Sequence, residues 1–401
     1  MEKVLFNLND VALLLIIAEC LLLIILVLGT QLSLRHRWLA LLLASFVLDA
    51  SATLLYWCEP LRQLFPLAAT KAYLWLQFAL LAQGPLLYAY TRSTLFPNHD
   101  GEHRDDLPNP LLTGTWRHFL PLVLFPLLIV LLLNNLGAEQ LRKASEEYGV
   151  LASQSLFDAL QVGQRMLCLV YAILSLLEFR RFDRYLRQHY STIEGLDQTW
   201  LKLIILGFLA LSLIHIAAGG SNMLGLFRVD HWLSLAANYG NFIFINTLVF
   251  YNLQRSSVIR PYASDHTTAA SIALTQNDDN QDLAQRIYQS VEEQAMYLEP
   301  ELTLEQLAQR LGLPARQVSN AINQVLNQNF FELINHFRSE KAKSLLKDPN
   351  CHLNMLDIMH ASGFNSKSAF NRCFKKHTDL TPTAFRKQQL SDPVPHLTRS
   401  E

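Results

Sequence analysis

Seven apolar windows occupy most of the first 253 residues and constrain the fold more than any other feature of the chain. Each is long enough to cross the hydrocarbon core of a bilayer, which takes about 20 predominantly apolar residues. We therefore predict seven membrane-spanning helices. The windows are residues 11–29, 38–57, 72–92, 118–136, 158–180, 201–224 and 232–253.

The distribution of Lys and Arg between the loops predicts how these helices are oriented. One set of alternate loops carries eleven Lys or Arg residues, and the opposite set carries six. Because cytoplasmic loops carry an excess of positive charge, we predict that the N-terminus lies outside and the C-terminus in the cytoplasm. The first window is expected to be retained rather than removed as a signal peptide, since no small-x-small cleavage site follows it.

The composition of the chain changes after Leu253. Residues 254–280 contain Ser, Thr, Ala, Asn and Asp without a long apolar run, which is typical of a flexible linker. Residues 281–298 then place apolar side chains on one helical stripe, which predicts a packed helix. The predicted division is a membrane domain at 1–253, a linker at 254–280, a helical domain at 281–390 and a tail at 391–401.

Two segments of the C-terminal domain share one plan and form an internal repeat. Residues 302–326 and 353–377 each open with a side-chain cap, Thr303 or Asn354. Each continues with a short amphipathic helix, turns at a glycine and ends in a second helix, as helix-turn-helix units do. The expected fold is all-α: a bundle of seven transmembrane helices, then a cytoplasmic all-helical domain with two helix-turn-helix units.

The charge of this repeat region favours a nucleic-acid partner. Between Arg310 and Leu390 there are twelve Lys or Arg residues and five Asp or Glu residues. A surface of this sign suits the phosphates of double-stranded DNA, and binding to it weakens steeply with salt.

Residues of about 290–388 resemble the DNA-binding domain of the AraC-type transcription regulators, most clearly in GFNSKSAFNRCFKKHTDLTPTAFR. In that family one chain carries two helix-turn-helix units, and their second helices enter successive segments of the major groove. Apolar spans followed by this domain are similar to the layout of membrane-anchored members. The resemblance implies a one-component regulator embedded in the lipid bilayer of a bacterial inner membrane. It would sense a signal through its spans and recruit or block RNA polymerase.

The resemblance also implies DNA contacts for the outward face of the second helix in each unit. Arg suits guanine and Asn suits adenine, and each bidentate contact gives about 1–3 kcal/mol of discrimination. Lys375 and Lys376 lie further along their helix and are expected to contact phosphates, which position the protein without specifying sequence. The predicted DNA-binding residues are Arg316, Ser319, Asn320, Asn323, Lys367, Ser368, Asn371, Arg372, Lys375 and Lys376.

The second unit departs from the family pattern at several places. Met359 stands where the family usually has alanine, whose small side chain lets the two helices approach closely. Asp379 stands where glycine usually ends the recognition helix in a left-handed conformation, which Asp tolerates better than most residues. The spacing of four aromatic side chains predicts a core rather than a stacking platform: Phe364, Phe370, Phe374 and Phe385.

Four ionisable residues fall within the apolar windows, where a charge is costly and therefore suggests a function. They are Glu19, Asp49, Arg165 and His215. One interpretation is a buried site for a small-molecule or membrane-borne signal, in which Glu19 or Asp49 neutralises Arg165. The alternative is that these groups form the hydrogen bonds and ion pairs that hold the helices together.

No enzymatic activity, cofactor or metal site is expected. The chain has no H-E-x-x-H, G-x-S-x-G or P-loop motif, and its five cysteines form no C-x-x-C pair. Two other functions stay open: a membrane receptor or scaffold whose C-terminal domain binds a protein, and an intramembrane enzyme or transporter with a regulatory DNA-binding tail. A homodimer is also compatible with the sequence.

Overall fold

The computed structural model of the 401-residue chain describes residues 7–30, 34–64, 66–96, 118–125, 127, 129–130, 143, 155–193, 199–254 and 277–391. Within these ranges it contains helices, turns and one isolated β-bridge, between Tyr190 and Thr303, and no strand. The chain divides into two compact units. The first comprises Met1–Phe182 and Gln198–Pro261, and the second comprises Asp183–Asp197 and Tyr262–Glu401.

The first unit consists of long apolar helices. They are α1 (Leu8–Thr30), α2 (Leu34–Trp57), α3 (Glu59–Leu64), α4 (Pro66–Leu76), α5 (Phe78–Leu95), the larger part of α6 (Ser155–His189), α7 (Thr199–Met223) and α8 (Phe227–Gln254). The last seven residues of α6 belong to the second unit.

Apolar side chains cover every face of α1. Leu13 and Leu23 are buried against other helices, whereas Leu22 and Ile25 on the opposite face are 55% and 68% exposed. A helix that is apolar all round is either enclosed by protein or surrounded by lipid. Since apolar side chains on one face of α1 are exposed in the described part of the structure, its sequence suits a lipid environment.

Five helices among the described residues are long and apolar enough to cross a membrane: Leu8–Gly29, Leu34–Trp57, Ala159–His189, Trp200–Met223 and Phe227–Phe250. They coincide with five of the seven predicted windows. The third window, 72–92, is divided by a turn at Gln77 between α4 and α5. Eight of the nineteen residues of the fourth window, 118–136, lie outside the described residues, so the count of seven stays a prediction.

Aromatic and small residues pack the interior of this unit. Phe46 of α2 meets Phe208 of α7 edge-on, with 6.4 Å between the ring centroids, and lies 5.9 Å from the ring of Phe244. Gly207 of α7 makes room for Phe244, because a Cβ at Gly207 would lie 2.9 Å from that ring. Small residues allow close helix contacts of this kind in membrane bundles.

The second unit holds the predicted DNA-binding domain. It comprises the end of α6 with residues 190–193, α9 (Asn277–Glu293), a 3-10 turn (Met296–Leu298), α10 (Leu304–Leu311), α11 (Ala315–Val325), α12 (Phe330–Lys347), α13 (Met355–Ala361), α14 (Lys367–Thr378) and α15 (Pro382–Ser391). The predicted linker lies almost wholly outside the described residues. The predicted tail also lies outside them, except for Ser391.

Side-chain caps begin the first helix of each helix-turn-helix unit, as the sequence predicted. At α10, the Thr303 hydroxyl accepts from the N–H of Gln306 at 3.2 Å, and the Gln306 side chain accepts from the N–H of Thr303 at 2.9 Å. At α13, the Asn354 side chain accepts from the N–H groups of Leu356 and Asp357, both at 2.9 Å. Each cap satisfies backbone donors that have no partner inside the helix.

The two helix-turn-helix units have separate apolar cores joined by α12. Leu333 and Ile334 of α12 pack into the core of the first unit, and Ala342 and Leu346 pack into the core of the second. The four phenylalanines predicted as core residues all lie in that second core and are buried: Phe364, Phe370, Phe374 and Phe385. Met359 is buried among them.

Candidate nucleic-acid interface

The second helix of the first helix-turn-helix unit, α11, is strongly amphipathic. Val318, Ala321 and Ile322 are buried in the core of that unit. The outward face carries Arg316 and Asn320, whose side chains are exposed. This division follows from the helical period, which brings residues three and four apart onto one face.

The second helix of the second helix-turn-helix unit, α14, is built in the same way. Ser366 caps it by accepting from the N–H of Ala369 at 3.2 Å. Phe370 and Phe374 turn inward. At its other end, Asp379 adopts the left-handed conformation that the sequence predicted, with φ 60° and ψ −1°.

All ten predicted DNA-contacting residues lie outside the buried core. The exposed members are Arg316, Asn320, Lys367, Ser368, Arg372, Lys375 and Lys376, and the half-buried members are Ser319, Asn323 and Asn371. Asn323 donates to the hydroxyl of Ser319 at 3.2 Å. α11 and α14 therefore each present Arg and Asn side chains, the types that suit guanine and adenine.

One ion pair and one further side-chain hydrogen bond connect α14 to α12. The ammonium of Lys376 lies 2.9 Å from Glu332 Oε1, and Nε2 of His377 lies 2.6 Å from Glu340 Oε1. Burial raises the pKa of the Glu332 carboxyl. The hydrogen bonds from Lys376 and from the N–H of Asn329, together with the charges of Lys376 and Arg187, outweigh this, and the pKa lies below its ordinary value. Lys376 thus has a structural partner within the protein besides the phosphate contact that we predicted for it.

Some of the basic residues in this region serve packing. Arg386 of α15 donates to the carbonyl oxygens of Leu353 and Cys351 at 2.8 and 2.9 Å, which ties α15 to the loop before α13. Arg310 forms a bidentate pair with Glu299, at 2.6 and 2.8 Å. The excess of Lys and Arg counted along the sequence is therefore larger than the charge that faces outward.

Arg338 is the residue of this domain that the sequence analysis missed. Its side chain is only 1% exposed, in the middle of α12. It occupies the helical stripe of Ile334 and Ala342, four residues to either side, where an apolar residue is the rule. An arginine within such a stripe is the signal that could have identified it.

The four ionisable residues predicted as a signal-binding site, which lie in the first compact unit, do not form one cluster of contacts. Arg165 lies 3.6 Å from Asp49, which was one of the two predicted partners, and Gln83 donates to the same carboxylate at 3.3 Å. Glu19 instead accepts from Asn246 at 3.0 Å. His215 bonds through Nδ1 to the carbonyl oxygen of Leu211, one turn earlier, at 2.8 Å.

Among the described residues, no group of three or more His, Cys, Asp or Glu side chains is arranged to hold a metal ion. The five cysteines are free thiols: Cys20, Cys58, Cys168, Cys351 and Cys373.

The C-terminal region matches a known family. Residues 307–388, which span α11, α12, α13 and α14, match the family described as Helix-turn-helix domain. This match supports the predicted AraC-type helix-turn-helix domain at the C-terminus.

Two curated proteins are similar to the same region. The uncharacterized HTH-type transcriptional regulator YijO of Escherichia coli (strain K12) is 34% identical over 90 residues, which are 22% of this chain and 31% of that protein. The uncharacterized HTH-type transcriptional regulator YtdP of Bacillus subtilis (strain 168) is 30% identical over 93 residues, 23% of this chain and 12% of that protein. This chain thus spans less than a third of either relative. No solved structure matches significantly.

Proposed function

We propose that this protein is a membrane-bound one-component transcription regulator that senses a signal through its first unit and binds promoter DNA sequence-specifically through α11 and α14. The observation that carries the proposal is the presence in one chain of five membrane-length apolar helices and a helix-turn-helix domain. A sensor and a DNA reader in one polypeptide need no separate signalling partner. The printed names of the two relatives, both transcriptional regulators, support the DNA-binding part.

The exposed faces of α11 and α14 support sequence-specific reading. Arg316 and Asn320 on α11, and Arg372 on α14, are long or amide side chains on exposed helix surfaces. Such groups form the bidentate contacts that distinguish bases in the major groove. Lys375 and Lys376 would contact the phosphate backbone and fix the register. RNA polymerase is the partner expected for a protein bound at a promoter.

A bacterial inner-membrane location with the second unit in the cytoplasm follows from the positive-inside bias of the loops. The same orientation gives the helix-turn-helix domain access to chromosomal DNA. Within the first unit, the half-buried pair of Asp49 and Arg165, with Gln83, is the candidate site for a small-molecule signal. Glu19 and His215 are further candidates. We propose no catalytic activity.

Selection of DNA by the full-length protein in lipid nanodiscs tests this function. Random duplexes would be selected at low and at physiological salt with the wild type, with Arg372→Ala, and with Lys347→Ala as a control. Each variant removes one positive charge, but Lys347 lies at the end of α12, outside the two reading helices.

We expect the wild type to select a site with two adjacent major-groove segments. Arg372→Ala should lose preference at one base pair of one segment, by about 5- to 150-fold, because a bidentate contact provides about 1–3 kcal/mol of discrimination. Lys347→Ala should keep the preferred site. Salt-sensitive binding without any preferred site, equal in all three proteins, would contradict the proposal and favour a scaffold that binds a protein partner.

A further inference from the structure

The four residues Tyr190–Ile193, here called the docking segment, lie in the second unit although more than 80 residues separate them in sequence from α9. The docking segment follows α6 directly, and the N–H of Tyr190 still bonds to the carbonyl oxygen of Leu186 at 2.9 Å. Ser191 is 1% exposed and Ile193 is also buried. Tyr190 and Thr192 are half-buried. The buried polar groups of a non-helical segment, such as those of Ser191, must be bonded to the surrounding domain.

The docking segment bonds to the stretch that leads into the first helix-turn-helix unit. The N–H and the hydroxyl of Ser191 both donate to the carbonyl oxygen of Leu302, at 3.2 and 2.6 Å. The Thr192 hydroxyl donates to the carbonyl oxygen of Pro300 at 2.5 Å. Tyr190 forms the β-bridge with Thr303, the residue that caps α10.

Buried Arg338 is the second anchor of the docking segment. Its Nη1 donates to the carbonyl oxygen of Ser191 at 3.2 Å and to the Thr192 hydroxyl at 3.1 Å, and its Nη2 donates to the Ser191 hydroxyl at 3.2 Å. Asn335, one turn earlier on α12, donates to the same Ser191 carbonyl at 2.9 Å. Because a buried charge is tolerated only when its donors are bonded, removal of the docking segment would leave the guanidinium short of acceptors.

The same guanidinium contacts the stretch that precedes the first helix-turn-helix unit and the turn of the second. Arg338 donates from Nε to the carbonyl oxygen of Tyr297 and from Nη2 to that of Glu299, at 2.8 and 2.6 Å, just before the first unit. It also lies over the ring of Phe364, in the turn of the second unit, at 5.8 Å from the ring centroid. The position of Arg338 therefore helps to set how the two units are placed relative to each other.

The end of α6 adds a further contact beside the docking segment. The guanidinium of Arg187 lies over the ring of Phe331, at the start of α12, at 5.5 Å from its centroid. Leu186, on the preceding position of the helix, is buried. Helix and docking segment thus engage α12 at successive turns, Phe331, Asn335 and Arg338.

We propose that the docking segment is the element through which the first compact unit, with its apolar helices, controls DNA reading. When it is docked, it completes the set of acceptors around Arg338 and holds the two helix-turn-helix units at the spacing that two adjacent groove segments require. When it is released, the units lose that fixed spacing, and discrimination between DNA sites falls. This inference rests on the proposed function.

Chain continuity makes the docking segment a better route for a signal than the predicted linker. Residues 183–197 lie between two stretches of the first unit, and the membrane-length helix Ala159–His189 ends where the docking segment begins. We therefore expect a shift of that helix to strain the hydrogen bonds between the docking segment and Arg338. A flexible linker such as the one predicted at 254–280 transmits little force.

The test uses the full-length protein in lipid nanodiscs and two substitutions that add the same side chain. Ser191→Lys places a second cation in the buried space beside Arg338 and should release the docking segment. Gln188→Lys adds a lysine at a half-buried position on the last turn of α6 and serves as the matched control. Neither residue belongs to α11 or α14, so the predicted DNA-contacting residues are unchanged.

Hydrogen–deuterium exchange reports the docking itself. In the wild type and in Gln188→Lys, the amide of Ser191 should exchange slowly because its N–H is bonded to Leu302. In Ser191→Lys, the docking segment and the first turn of α12 should exchange faster, while α14 keeps its protection. If Ser191→Lys unfolds the domain as a whole, Ser191→Ala provides the milder test, since it removes only the hydroxyl bonds to Leu302 and Arg338.

DNA discrimination reports the consequence. Binding would be measured to the selected site and to the same site with two base pairs inserted between its groove segments. We expect the ratio of the two dissociation constants to fall about tenfold in Ser191→Lys, within the range typical of coupled sites. It should be unchanged in Gln188→Lys, because a uniform gain in phosphate contacts affects both duplexes alike.

The outcomes separate the two proposals. A wild type that selects no preferred site would overturn the proposed function and, with it, this inference. A wild type that prefers a site but binds it equally well with and without the two inserted base pairs would overturn the inference alone. A wild type that discriminates, with Ser191→Lys discriminating equally well although exchange shows the docking segment released, would overturn the inference alone. Rapid exchange of the Ser191 amide in the wild type would also overturn it.

Discussion

Replacement of two glycines by alanine tests one contact of the second helix-turn-helix unit. This contact joins the turn of that unit to the residues that precede the first helix-turn-helix unit. Gly312 and Gly363 end the first helix of the two units with positive φ, 65° and 86°. A Cβ at Gly312 meets nothing within 4 Å, whereas a Cβ at Gly363 would lie 2.5 Å from the carbonyl oxygen of Tyr297 and 2.9 Å from Cα of Leu298. The two substitutions therefore share the conformational cost and differ in the collision.

The magnitudes follow from these two terms. The left-handed conformation costs alanine about 1–2 kcal/mol, and the loss of glycine's freedom in the unfolded chain offsets about 0.4–1 kcal/mol of that. Gly312→Ala should therefore destabilise its unit by about 1 kcal/mol. Gly363→Ala adds about 1–3 kcal/mol of overpacking against backbone, and it displaces the carbonyl that accepts from Arg338.

Hydrogen–deuterium exchange of the full-length protein in nanodiscs would measure both changes. A difference of about 2 kcal/mol corresponds to roughly a 30-fold difference in opening equilibrium. We expect α14 to lose about that much more protection in Gly363→Ala than α11 loses in Gly312→Ala. Equal losses in the two variants would refute the close approach of Gly363 to Tyr297 and the role we give to Arg338.

Two further predictions concern α14. Asp379→Gly should stabilise the second unit by about 0.5–1 kcal/mol, because glycine relieves the left-handed strain and the change removes a negative charge from a helix C-terminus; a lower unfolding temperature would contradict this. The pKa of Glu332 is held below its ordinary value of 4.5, so the stability from its pair with Lys376 is present above that pH and is lost as the pH falls through the folded-state pKa. Thermal unfolding between about pH 6 and pH 3 should therefore show a smaller loss of stability in Lys376→Met than in the wild type, and equal losses would count against the pair.

The local features of the DNA-binding domain could be predicted from the sequence because each depends on residues within one or two helical turns. The caps at Thr303 and Asn354 and the left-handed Asp379 are read from neighbouring residues. The inward phenylalanines of α14 follow from the helical period. The same reasoning located the five membrane-length helices, since length and apolar content define them.

The predicted pairings were harder to settle from the sequence. Arg165 had two candidate carboxylates, and only the packing of the helices placed Asp49 within 3.6 Å while Glu19 met Asn246. Lys376 was predicted from the family resemblance as a phosphate contact, but it bonds to Glu332, which is 44 residues earlier in the chain. A partner at that distance in sequence leaves no periodic signal.

The sequence by itself determined which segments are helices and which helix faces are apolar or polar. The tertiary structure alone decided that Ser191 and Thr192, over 100 residues before α12, complete the surroundings of Arg338. The physical reason is the range of the interactions involved. Helix periodicity and capping act between residues three or four apart, whereas the bonds of a buried guanidinium go to whichever oxygens the fold brings within reach.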